Sequence, residues 1–178
     1  LYVISAAEIN KLSGLKNNKS LVSVVHKKNQ KKESIDFSNL IIALDSVSDP
    51  GNLGTIIRIA DWFNIKSILC SKNTVDLYNS KVIQSSMGSF TRVDVFYDNL
   101  EDVLGSKDIS VFGTSTDGTD INKFAKPGKG IILFGSESQG VSEHLKKYVD
   151  KWISIKKNGG AESLNVSVSV GIILHKLT

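Results

Sequence analysis

The chain carries one cysteine, two prolines and two arginines in 178 residues. A lone Cys70 cannot close an internal disulfide, which sets aside the small disulfide-stapled secreted domains and fits a reducing cytoplasm. It ends the apolar run Ser67-Ile68-Leu69, where a small thiol reads as a core residue. No apolar run approaches the roughly 20 residues of a membrane-spanning helix, so no membrane association is expected. The three histidines, His26, His144 and His175, fall on a linker, a polar helix and the tail. They offer neither a partner for a nucleophilic serine nor metal-ligand spacing, so no metal is expected. Repeats, heptads and low-complexity tracts are also missing. The first residue is Leu1 rather than Met, with no basic-then-apolar signal layout, so the start is read as trimmed from a larger parent protein.

Hydrophobic residues make up 40% of the sequence. That suffices for one full core, most simply a single α/β domain with a short appendage. The net charge of +4 is placed unevenly. Residues 1–36 hold seven lysines, including Lys27, Lys28, Lys31 and Lys32, against Glu8, Glu33 and Asp36, so the surplus of four lies there and the remainder is balanced. Such an arm suits a polyanion, since each neutralised phosphate releases counterions; a solvated linker has the same composition. The polar run Lys27-Lys28-Asn29-Gln30-Lys31-Lys32-Glu33 reads as a linker. The expected division is residues 1–36 as an appendage and 37–178 as the main domain.

Strand-like runs at 40–44, 67–70, 92–96, 110–114, 130–134 and 152–155 alternate with helical stretches at 53–63, 81–87, 99–104 and 142–148. Continuous β-branched runs interleaved with helices predict a parallel sheet with helices on both faces. The final segment is ambiguous. Asn165 to Val170 alternates with period two, which favours a strand. If helical, its apolar residues fall on all sides, so it must be buried nearly all round.

Three polar blocks each stand beside an apolar run, as in a pocket built from strand-end loops. In Asp45-Ser46-Val47-Ser48-Asp49-Pro50-Gly51-Asn52-Leu53-Gly54, Pro50-Gly51 forms a turn and Asn52 can cap the following helix. Arg58, one to two turns further, is a charge within Ile56-Ile57-Arg58-Ile59, tolerable where it meets phosphate or carboxylate; a surface arginine is the plainer alternative. In Gly135-Ser136-Glu137-Ser138-Gln139-Gly140, glycine admits close ligand approach and Glu137 is set by a buried strand. The block is neither a dinucleotide nor a Walker glycine pattern. In Glu162-Ser163-Leu164-Asn165-Val166-Ser167, Ser163 is a helix-capping type and Asn165 offers both donors and an acceptor.

In this order, N-x-G-x-x-x-R after a D-P turn, G-x-E at a strand end and E-S-L-N-V-S before the last segment resemble the SpoU (TrmH-like) branch of the SPOUT RNA methyltransferases. The match spans residues 40–178. Residues 1–25 look like the tail of an L30e-like RNA-binding domain. The resemblance implies a C-terminal trefoil knot, against the general rarity of knots, and makes the last segment a helix. It further implies a homodimer packed through the knot, and transfer of a methyl group from S-adenosylmethionine to a ribose 2′-hydroxyl of rRNA or tRNA. By position, the cofactor would rest on Thr114, Ser115, Gly135, Glu137, Ile153, Ile155, Ser163, Leu164 and Asn165. Arg58 would anchor phosphate and stabilise a developing alkoxide, because a guanidinium does not readily give up its proton. Asn52, Glu137, Ser163 and Asn165 would orient Arg58, ribose and cofactor.

Two positions depart from the family pattern. Ile155-Lys156-Lys157 replaces the usual I-P-[ML], and Ser138 stands at the second glycine of G-x-E-G-x-G. Lys156 and Lys157 join Lys27, Lys28, Lys31, Lys32 and Arg58 as the expected RNA-binding cations. The alternative functions are a catalytically silent RNA-binding or ribosome-assembly factor on the same fold, or another α/β enzyme with a nucleotide-like ligand.

Overall fold

A computed structural model describes residues 2–13, 21–28, 35–105 and 109–178. Lys31 and Lys32 lie outside these residues. Six strands, β1 (Leu40–Leu44), β2 (Ser67–Ser71), β3 (Asp94–Asp98), β4 (Val111–Asp120), β5 (Gly130–Phe134) and β6 (Lys151–Ser154), form one sheet in the order β3-β2-β1-β5-β4-β6. Every pairing is parallel. The helices are α1 (Ala6–Leu12), α2 (Pro50–Trp62), α3 (Ser80–Ser85), α4 (Leu100–Gly105), α5 (Glu143–Lys146) and α6 (Val166–Leu177).

Alternation along each strand divides the core in two. Leu40, Ile42 and Leu44 of β1, with Ile132 and Phe134 of β5, pack against Leu53, Ile56, Ile57 and Ala60 of α2 and Val170, Ile173 and Leu174 of α6. Ile41 and Ala43, with Ile131 and Leu133, face Val103 and Leu104 of α4 and Leu145 of α5. Both faces are therefore covered, which is why these strands read as unbroken apolar runs.

Several boundaries differ from expectation. β3 starts two residues late because Ser89–Thr91 coils into a 3-10 turn. α3 stops at Ser85, and Met87 and Gly88 then take positive φ. β4 runs on to Asp120, but Thr114 and Thr119 both pair with Ile153 of β6, so 115–118 bulge out of the ladder. The last segment is a helix, against its period-two pattern. Asn165 caps it, its Oδ1 accepting from the Ser167 amide at 2.9 Å and the Ser167 hydroxyl at 2.6 Å. Capping together with burial of Val170, Ile173 and Leu174 outweighs the β-branched preference for strand. The helix is not buried all round: Val168 and Ile172 stay exposed.

Candidate functional site

β2 and β3 lie on one side of β1, whereas β5, β4 and β6 lie on the other. The loops leaving β1 and β5 consequently diverge, and the crevice between them at the carboxyl ends of the strands is where open α/β sheets bind ligands. The first two polar blocks are those two loops.

Asp49, not Asn52, caps α2: its carboxylate accepts the Asn52 amide at 2.8 Å, and Pro50 takes the first helical position. Both residue types cap well and stand three apart, but only the one before proline has the extended backbone a cap requires. Asn52 is thereby released for a tertiary role. Its Nδ2 donates to Glu137 Oε1 and its Oδ1 accepts from Asn165 Nδ2 at 2.9 Å. The three blocks are thus joined side chain to side chain, over sequence separations of 85 and 113 residues. Ser163 does not take up the cap that its residue type suggests; Asn165 does.

Beside this chain opens a cleft of about 960 Å³. Its polar walls come from the β4 bulge (Thr114, Ser115 and Asp117), the loop after β5 (Gly135 and Glu137) and the connection from β6 to α6 (Lys156, Lys157, Ser163 and Leu164). Phe134, Ile153, Ile155, Val166 and Ile173 supply an apolar floor. Of the residues expected at the cofactor, all but Asn165 line this cleft. Sequence reasoning did not single out Phe134, Asp117, Trp152 or Ile173; the strand-end position of Phe134 and the period of α6 were the available signals.

Gly135 lines the cleft and is also required by the turn itself. A Cβ there would lie 1.9 Å from the Gly140 carbonyl carbon. The two legs of the turn are that close because Ser136 and Gly140 exchange amide hydrogen bonds of 3.1 and 2.9 Å. Gly140 closes the turn at φ 67, a conformation that favours glycine.

Arg58 is exposed on α2 and does not line the cleft. The chain's other arginine, Arg92, is engaged with Asp61 at 2.6 Å. Lys27 and Lys28 lie toward the opposite end of the sheet from the cleft. The Lys28 amide donates to Tyr78 Oη at 3.0 Å and its ammonium pairs with Asp94. Lys27 Nζ sits 4.7 Å from the Tyr78 ring centroid and 3.9 Å from Asp76. These two lysines therefore meet acidic and aromatic groups of the domain itself.

The topology and the placing of the cleft define a parallel α/β protein with a candidate ligand cleft at the carboxyl ends of β4, β5 and β6, beside the point where the β1 and β5 connections part. The particular family follows from the sequence: the SpoU rRNA methylase family model matches residues 39–175, and the chain belongs to that family. It is 28% identical over 180 residues to the Bacillus subtilis protein RlmP, a 23S rRNA (guanosine(2553)-2′-O)-methyltransferase, covering 99% of this chain and 71% of that one. Among solved structures, a TrmH-family protein from Porphyromonas gingivalis is 33% identical with a TM-score of 0.76, covering 80% of this chain and 60% of that one. The SpoU methyltransferase AviRb from Streptomyces viridochromogenes, solved with S-adenosylmethionine, is 25% identical with a TM-score of 0.74, covering 81% and 61%. The chain thus spans about three fifths of each of these two solved chains. No helix among the described residues is long and apolar enough to cross a membrane.

Proposed function

We propose that this protein methylates a ribose 2′-hydroxyl of rRNA or tRNA with S-adenosylmethionine as donor, in the cleft at the ends of β4, β5 and β6. The observation that carries the reading is the hydrogen-bonded chain Asn165–Asn52–Glu137 along the edge of that cleft. It joins the family's three motifs in one constellation, and a fold kept only for binding RNA has no use for all of them together.

The cleft fits the cofactor by its chemistry. Its apolar floor suits a flat uncharged base, and its polar rim carries lysines and carboxylates that match a zwitterionic amino-acid tail. When bound there, S-adenosylmethionine supplies a methyl group activated by a sulfonium. Thr114, Ser115, Gly135, Glu137, Ile153, Ile155, Ser163 and Leu164 hold and orient it, and Asn165 fixes the α6 end of the wall. Arg58, exposed and outside the cleft, is placed for RNA rather than for the cofactor. It would anchor a phosphate and stabilise the developing alkoxide as the hydroxyl gives its proton to solvent water. Asn52, held from both sides, keeps Glu137 and the start of α2 in register. Lys156 and Lys157 stand at the rim, where the amino-acid tail and the RNA backbone are both within their chemistry.

The reading extends to the whole molecule. Residues 37–178 are the catalytic domain and 1–36 the remnant of an RNA-binding module with its linker. β4 lies between β5 and β6 with the motif-bearing connections on one edge, in keeping with a trefoil knot in this part of the chain. Leu164, Val168 and Ile172, apolar and exposed, supply a face for a second copy. The site of action is the cytoplasm.

Transfer of labelled methyl from S-adenosylmethionine to unmodified bulk rRNA and, separately, to tRNA tests the reading. Label in one RNA, at a linkage resistant to alkaline cleavage, is the expected result and names the substrate class. Cofactor binding with no label in either RNA would favour the silent assembly factor.

A further inference from the structure

The carboxylate of Asp45, one residue beyond β1 at the start of the first polar block, is only 3% exposed and has no role in the site described above. Its Oδ2 accepts the amide of Ser142 at 2.8 Å, across 97 residues of sequence, and its Oδ1 accepts the Ser46 hydroxyl at 3.0 Å. Ser142 closes the loop that begins at Gly135 and carries Glu137. The loop is therefore held at two points: Glu137 by Asn52 and its return leg by Asp45.

The neighbourhood of Asp45 is built to keep it in place. Ser46 adopts φ 59, a left-handed backbone that is uncommon for a residue other than glycine. That turn directs its hydroxyl back to Asp45 and its amide to Ser71 Oγ at 2.8 Å. Ser71 Oγ lies 3.2 Å from Thr74 Oγ1, which donates to the Leu44 carbonyl at 3.3 Å. The ends of β1 and β2 and the loop after β5 are thereby linked by one polar network. Among the described residues no buried side-chain polar atom lacks a partner. Backbone strain kept beside a ligand cleft is found where the surroundings fix a required geometry.

We infer that Asp45 is a positioning residue for cofactor binding, acting through Ser142 to hold the 135–142 wall of the cleft in its binding shape. The inference rests on the reading of this cleft as the S-adenosylmethionine site. Asparagine can keep the Ser142 amide on its one oxygen and turn its NH₂ to the Ser46 hydroxyl, which can accept, so alanine, which removes both acceptors, is the informative substitution. Proline at 142 removes the donor from the other side, and Ser142 has φ −57, close to proline's own value.

The test combines Asp45→Ala, Ser142→Pro and the double variant with two readouts. Binding of S-adenosylhomocysteine by calorimetry is expected to weaken about tenfold in each single variant and by no more in the double, since all three lose one shared bond. Amide exchange, followed by mass spectrometry, is expected to rise in peptides covering 135–142 and not in those covering α2 or α6. Wild-type affinity in Asp45→Ala, or losses that add in the double variant, would overturn the inference, as would an unchanged exchange rate in the loop. A wild-type protein that does not bind S-adenosylhomocysteine would instead defeat the reading of the cleft, while the exchange measurement still decides whether Asp45 holds the loop. A purely structural role would lower the melting temperature and raise exchange throughout the domain without confining the change to this wall.

Discussion

Arg58 shows how much one residue's setting decides its use. It projects from α2 next to the buried Ile57 yet is itself exposed and does not line the cleft. Arg58→Ala should therefore cut methyl transfer about 100-fold or more by removing a cation from the developing charge. Binding of S-adenosylhomocysteine should stay within about twofold, because no cleft wall is lost. Equal loss of binding and transfer would move Arg58 into the cofactor site. At this scale the sequence was informative where polar residues interrupt apolar runs: Asn52, Glu137, Ser163 and Asn165 stand out for that reason. It was silent on which of two capping types three residues apart caps, so Asn52 reads as the cap where Asp49 takes that place. Nothing in the composition around Asp45 marks its carboxylate as buried, since only the return of a loop 97 residues away makes it so.

At the scale of elements, α2 is the part on which the rest depends, and its contacts make two further predictions. Gly54 lets α3 cross closely: a Cβ there would lie 1.9 Å from Ser85 Oγ and 2.7 Å from the Val82 carbonyl oxygen. Gly54→Ala should lower the melting temperature by about 2–10 °C, the range expected for overpacking in a domain of this size. Removing the Ser85 hydroxyl in the same chain should restore only part, because the Val82 backbone contact remains. The other end of α2 is tied to the Ser89–Thr91 turn by Arg92, whose Nε and Nη2 donate to Asp61 at 2.9 and 2.6 Å. That hydrogen bond holds the Asp61 carboxyl below its ordinary value of 3.8. A folded-state value below the unfolded one gives stability that is present above the unfolded pKa and lost as pH falls through the folded one. The melting advantage of wild type over Arg92→Ala should thus be constant near neutral pH and shrink below about pH 4. Arg92 is largely exposed, so the advantage should be modest and diminish with salt. Strands were legible here because buried parallel strands are continuous apolar runs. The bulge at 115–118 was not, since it depends on how β4 meets β6 rather than on any local signal.

On the scale of the whole molecule, α6 carries both the misreading and its explanation. A helix whose apolar residues fall on all sides must be covered on all sides, yet Val168 and Ile172 of α6, with Leu164 just before its cap, are 49%, 37% and 47% exposed. The opposite face is packed on α2 and the sheet, with Gly171 close to Ile59. Charged side chains do not interrupt the stripe, and a self-matching apolar strip suits a two-fold contact in which each copy presents the same residues. On the proposed dimer, the requirement read from the sequence would be met by a second copy rather than within one chain. Sedimentation of the wild-type protein at micromolar concentration should give a dimer, and Val168→Glu with Ile172→Glu should give a monomer with an unchanged circular dichroism spectrum. Neither change disturbs the core, as both side chains already face outward, and Glu at 168 lies in the first turn of α6, where a negative charge is favoured. A wild-type monomer, or a dimer indifferent to both substitutions, would leave the stripe without a second copy to cover it. If the dimer forms, loss of methyl transfer in the monomeric variant with cofactor binding retained would show that the RNA site spans both copies. Retention of both activities would confine it to one.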